Sequence, residues 1–169
     1  MELRLRMLEL KQKAGIILQL MPDEQMEYLR REYPNLNDDI IKYFLIHHLG
    51  CECVYDEFCF LKLKNCRVVE KELSIDEVFA INYPQFCTFR NESFEYFEGF
   101  RDLLEDQWIQ QGTWRGPILV TIVEGKMVVI DGNNRLRMLR CYLKYSKKYK
   151  AETHSVYLLS QKNSRWSEV

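Results

Sequence analysis

The segment Met127-Val128-Val129-Ile130-Asp131-Gly132-Asn133-Asn134-Arg135-Leu136 constrains the fold of this chain more than any other. Four apolar residues run into a glycine and then straight into helical spacing. The order predicts a buried strand that turns at Gly132 and enters a helix with no connecting loop. The first amides of such a helix have no intrahelical acceptor, and the helix dipole is positive there. Backbone alone then makes an anion site. Gly132 lets a phosphate approach without a Cβ in the way. Arg135, in the first turn, can fork onto phosphate oxygens. Asn133 and Asn134 offer amide donors, or one of them caps the helix. Asp131 is placed to hold a metal-bound water, to orient Arg135, or to bind a ribose. The same residues also suit an ordinary strand-to-helix turn, with Gly for geometry, Asn for the cap and Arg at the surface.

The N-terminal part reads as helices. Leu3, Met7, Leu10, Ala14, Ile17, Leu18 and Met21 keep helical spacing. Pro22-Asp23 breaks and restarts the chain, a second helix covers about 24–32, and Tyr33-Pro34 stops it. Asn37 can cap a third helix, with Asp38 and Asp39 in its first turn and Ile40, Ile41, Phe44, Leu45 and His48 along it. Gly50 ends it. Residues 51–55 and 58–63 read as a hairpin across Asp56-Glu57. Three helices and a hairpin resemble a winged helix-turn-helix. A DNA-reading helix presents basic and amide groups to the groove. The third helix opens with two aspartates and offers only Lys42, so phosphate repulsion opposes its docking there. Dimerisation or a protein contact suits this module at least as well.

A boundary near residues 65–69 divides the chain into a helical module with a hairpin, 1–65, and a second domain, 66–169. In the second domain residues 66–69 read as a strand. Ser74-Ile75-Asp76-Glu77 is a capping-box pattern that opens a short helix. Asn82-Tyr83-Pro84-Gln85 is a loop. Asn91 can cap a helix whose apolar side is Phe94, Phe97, Phe100 (or Arg101), Leu104 and Trp108, with Gly112 as its end. Residues 117–123 and 126–130 are strands joined by the two-residue turn Glu124-Gly125. The helix after the junction runs to about residue 149, and 155–159 is a closing strand. The fold class is α+β.

Charge narrows the partners. Net charge is -1, yet residues 135–169 hold nine lysines and arginines against two acids. A whole-protein field that attracts DNA is excluded, while a local basic face is allowed. Arg137, Arg140, Lys144, Lys147 and Lys148 are the candidate nucleic-acid contacts; a solvated helix face explains the same charges. The six cysteines are expected to be reduced and buried. His47, His48, Cys51 and Cys53 are close together, but they lack paired zinc-ligand spacing, and no metal site is expected. No apolar run reaches the roughly 18 residues of a membrane span. With no signal-peptide pattern either, the expected location is cytoplasmic, away from any membrane.

Taken together, residues 66–160 resemble the ParB/sulfiredoxin-like superfamily. The matching features come in order: the first strand with Ser74-Ile75-Asp76-Glu77-Val78, and Asn82-Tyr83-Pro84-Gln85 like the family's N-P-x-Q loop with the Pro shifted. The amphipathic helix, the Gly112 linker and the strand Pro117-Ile118-Leu119-Val120 follow. Val129-Ile130-Asp131-Gly132-Asn133-Asn134-Arg135-Leu136 is similar to the family's I-x-D-G-x-x-R-x motif. The resemblance implies a mixed sheet-helix domain and a nucleotide ligand, ATP or ADP as in sulfiredoxins and a free-serine kinase branch, or CTP as in ParB. It implies phosphate contacts from Gly132, Asn133, Asn134 and Arg135, a catalytic pair in Asp131 and Arg135, and Mg2+ with a triphosphate.

Departures narrow the activity. Sulfiredoxins place their reactive Cys where this chain has Asn133, and Cys141 lies two helical turns on. ParB has Glu-Arg at Asn133-Asn134, and its DNA-binding helix-turn-helix has little room after this motif helix. The kinases carry a catalytic Glu where this chain has Asn82-Tyr83-Pro84-Gln85; Glu77 and Glu92 are merely near in sequence. Three functions stay open: a nucleotide-dependent phosphotransferase or hydrolase; a partition-type regulator whose second domain senses nucleotide or contacts DNA through 135–150 and whose N-terminal module dimerises or reads DNA; or a non-catalytic interaction adaptor.

Overall fold

The computed structural model describes residues 15–46, 66–84, 92–108, 118–148 and 150–161. The chain divides into two compact units, residues 1–68 with 161–164 and residues 69–160 with 165–169. The expected hairpin at 51–63, the winged reading that depends on it, the His47/His48/Cys51/Cys53 group, Asn91 and Gly112 lie outside the described residues.

In the first unit, residues 15–18 are helical. Helix α1, Pro22–Glu32, starts where proline is tolerated, because the first helical N–H has no partner in any case. The Met21 N–H donates to Glu24 Oε2 at 2.9 Å. Asp23 and Glu24 in the first turn and Arg30 and Arg31 in the last complement the dipole. Helix α2, Asp38–Ile40, opens at Asn37, whose Oδ1 accepts the Ile40 N–H at 3.0 Å. The cap is where the sequence puts it. The helix itself widens at once into π-helical turns over Ile41–Ile46. Ile40, Ile41, Phe44 and Leu45 are all buried. Arg30 grips Asp38 through two bonds, at 2.8 and 2.7 Å, and so ties α1 to the first turn of α2.

A four-stranded mixed sheet, in the order β1-β4-β2-β3, has all but Cys66–Val68 and Gln161 of its residues in the second unit. The strands are β1, Cys66–Ser74, β2, Leu119–Val123, β3, Lys126–Asp131, and β4, Thr153–Gln161. β2 and β3 are antiparallel. Glu124 and Gly125 between them have φ of 49° and 76°, the positive values of a tight hairpin turn that matches strand twist. β2 and β4 are parallel, with Leu119 beside Tyr157 and Thr121 beside Leu159. Asn82 adds a one-residue parallel bridge to the free side of β3. Its N–H donates to Met127 O at 2.8 Å, and its carbonyl accepts the Val129 N–H at 2.9 Å.

Helix α3, Ile75–Ala80, follows β1 directly through the expected capping box. Ser74 Oγ accepts the Glu77 N–H at 3.3 Å, and the Ser74 N–H donates to Glu77 Oε2 at 2.9 Å. Helix α4, Phe94–Asp102, is capped by Ser93 and continues as π-helical turns to Trp108. Its buried side is narrower than the spacing predicts. Phe97 and Leu104 are buried, but Phe94 and Phe100 are exposed. Helix α5, Asn133–Tyr145, stops four residues earlier than expected: Ser146 turns away, and Lys150 Nζ donates to Leu143 O at 2.5 Å. Leu73, Val78, Phe97, Leu104, Val120, Val129, Leu136, Leu139 and Val156 form one core between sheet and helices. No helix among the described residues is long and apolar enough to cross a membrane.

Candidate functional site

The junction between β3 and α5 has the geometry its sequence calls for. β3 ends at Asp131, Gly132 turns at φ 86° and ψ 25°, and α5 starts at Asn133. That left-handed turn strains any residue with a Cβ, and glycine adopts it freely. Gly132 is itself the N-cap, and no side chain caps the helix. Neither asparagine takes that role, so capping does not consume the amides of the first turn. The first helical bond runs from the Leu136 N–H to Gly132 O at 2.7 Å.

Arg135 lies in the first turn, and its Nη2 donates to Asp131 Oδ2 at 2.6 Å. Both side chains are about one-fifth exposed (21% and 18%), so the pair sits at a partly enclosed surface. The contact joins the last residue of the strand to the first turn of the helix and fixes the guanidinium beside the glycine. Arg135 Nε is buried with no hydrogen-bond partner, and so is Asn133 Oδ1. An unmet buried donor and an unmet buried acceptor cost free energy unless something else satisfies them. Asn134 is exposed.

The five basic residues proposed for nucleic acid do not form one face. Arg137 is stacked on Tyr96, its guanidinium carbon 3.4 Å from the ring centroid. Arg140 is only 6% exposed and is not at the surface at all, which corrects its assignment as a phosphate contact. Lys148 pairs with Glu105 at 3.5 Å. Lys144 is exposed on α5, while Lys147 and Lys148 fall beyond its end.

Arg140 instead organises the neighbouring segment. It donates from Nε and Nη2 to Val78 O at 3.2 and 2.9 Å, from Nη2 to Phe79 O at 3.0 Å, and to Ile81 O. Its Nη1 donates to Glu92 Oε1 at 3.2 Å. The Tyr83 hydroxyl donates to the same oxygen at 2.9 Å, and the Tyr145 hydroxyl donates to Glu92 O at 3.0 Å. Burial, then the Glu92 charge, pushes the Tyr83 hydroxyl well above the usual phenol range. Glu92 is thus held by Arg140 and Tyr83, and Glu77 is spent on the α3 cap. Spacing already hinted at Arg140: with Leu136, Leu139 and Leu143 it falls at i, i+3, i+4 and i+7, the buried stripe of the helix.

Cys141 is buried, and burial with the nearby Glu92 charge pushes its thiol up to about 11. A thiol in that state is a poor nucleophile at neutral pH. Among the described residues no group of three or more His, Cys, Asp and Glu comes together to hold a metal ion. No family model matches the chain. No curated protein and no solved structure matches it either.

Proposed function

We propose that the second unit is a ParB/sulfiredoxin-like domain that binds the phosphates of a nucleotide, ATP, ADP or CTP, on the loop 132–135. One observation carries this reading: a left-handed Gly132 delivers an uncapped helix N-terminus and a first-turn Arg135, oriented by Asp131, to one point. Amides and dipole favour an anion there. The Arg135 side chain is about one-fifth exposed, and its guanidinium charge suits a phosphate oxygen. Of the three roles open to Asp131, orienting Arg135 is the one with a contact behind it. Mg2+ would come with a triphosphate, held by its own oxygens rather than by a protein cage.

Binding, rather than phosphoryl transfer, is the function proposed. Arg135 and the loop amides suit charge developing on a transferred group. A base is what transfer would add, and Asp131, Glu77 and Glu92 already have partners within the fold.

The test is a thermal-shift series with ATP, ADP, CTP and GTP, with and without Mg2+, on the wild-type chain and Arg135→Ala. A ligand at about 100 times its Kd stabilises by about 2.7 kcal/mol. The expected result is a shift with ATP, ADP or CTP that Arg135→Ala abolishes. No shift with any of the four would overturn the reading.

A further inference from the structure

A buried guanidinium is costly unless its donors are engaged, and an apolar side chain at position 140 would complete the stripe of Leu136, Leu139 and Leu143. Arg140 spends its donors on one short stretch of chain. Val78 O and Phe79 O belong to the last turn of α3; Val78 O also accepts the Ile81 N–H at 3.4 Å, and the guanidinium adds a charged donor to both carbonyls. Ile81 O comes next, and the Tyr83 ring centroid lies 5.0 Å from the guanidinium carbon. Glu92, which Arg140 also binds, is tied back to Tyr83 by the phenol hydroxyl.

That stretch leads to the phosphate loop. Asn82 pairs with Val128 in parallel, so the chain passes through the bridge in the same direction as β3, whose end is Asp131. At the ordinary strand rise of about 3.3 Å per residue, the three residues from Val128 to Asp131 span about 10 Å, so the bridge at Asn82 stands that far from the end of β3. Arg140 stands about two turns into the helix whose first turn carries Arg135. One side chain therefore fixes the 82–84 edge to the helix that presents the loop.

We infer that Arg140 is a positioning residue: it holds the Tyr83-Pro84 edge beside the loop 132–135, and the nucleoside part of the ligand rests on that edge while its phosphates occupy the loop. This rests on the phosphate-loop reading above. Arg140 touches no phosphate in this scheme, so its loss acts on the nucleoside contact alone. Lysine at 140 keeps the charge but reaches fewer of the acceptors, since it lacks the planar fork.

Isothermal titration of the full chain separates the two contributions. The ligands are inorganic tripolyphosphate and whichever of ATP, ADP and CTP the wild type binds. Arg140→Lys is expected to bind tripolyphosphate within about twofold of wild type and the nucleotide at least about tenfold more weakly. Tyr83→Phe, which keeps the ring and loses only the bond to Glu92, is expected to show a smaller loss with the same selectivity, and carries the test if Arg140→Lys does not fold. A parallel loss of both ligands, or no loss of either, overturns the positioning role and leaves the phosphate loop standing. A wild type that binds neither ligand overturns the phosphate loop, and this inference with it.

Discussion

Gly132, with φ at 86°, cannot be replaced by a residue with a Cβ at no cost. Gly132→Ala is expected to destabilise the chain by about 1–2 kcal/mol, the cost of alanine in the left-handed region. Gly132→Asn is expected to cost less, since asparagine tolerates that conformation. Thermal denaturation of the three chains checks the order. A Gly132→Ala chain as stable as wild type would mean that the turn is not left-handed. The glycine, the arginine three residues on and the aspartate before them were legible as a local pattern. Arg140 stands out in the sequence as a charge on the apolar stripe of its helix, a spacing that signals burial but not the partners. Its carbonyl partners lie about sixty residues earlier in the chain, and no local pattern reports such a pairing.

At the scale of elements, the features read correctly are those whose cause lies within four residues. The Ser74 capping box, the Asn37 cap and the Glu124-Gly125 turn are of this kind. The elements read too short or too long have causes further away. β1 extends past residue 69 to Ser74 as an outer strand with Glu70, Lys71 and Glu72 exposed, and charges on an edge strand hide its apolar alternation. α5 ends at Tyr145, four residues before its spacing predicts, because its end depends on Ser146, whose Oγ donates to Glu105 Oε1 at 2.7 Å on a distant helix segment. The capping box supplies the prediction at this scale. Ser74→Ala removes the acceptor for the Glu77 N–H and is expected to cost about 1 kcal/mol. Glu77→Gln keeps the reciprocal bond to the Ser74 N–H and is expected to cost less. Chemical denaturation of both variants checks this; equal losses would mean that charge, not capping, sets the start of α3.

Over the whole molecule, pH reaches the sheet through His154. It lies on β4, which the sheet order places between β1 and β2. Its Nε2 is buried without a partner, and burial holds the imidazole below its ordinary value of 6.5, against smaller opposing effects from the Ala151 backbone and Glu72. The fold therefore prefers neutral His154. As pH falls below about 6.5 the unfolded chain takes up a proton that the folded chain resists, so stability drops towards the lower, folded value and is fully present above the unfolded one. The depressed carboxylates act in a different window. Glu77, lowered by its bond from the Ser74 backbone, and Asp38, lowered by its bond from Arg30, lose their contributions only as pH falls through and below the usual carboxylate range. Melting midpoints between pH 7.5 and 5.5 thus separate histidine from these carboxylates, and the difference between wild type and His154→Gln separates His154 from the chain's other two histidines. The wild type is expected to lose a few degrees over that interval, and His154→Gln, which has no proton to gain, is expected to lose less. A wild-type midpoint that rises on acidification would mean that the folded sheet stabilises charged His154, with Glu72 rather than burial dominating its surroundings.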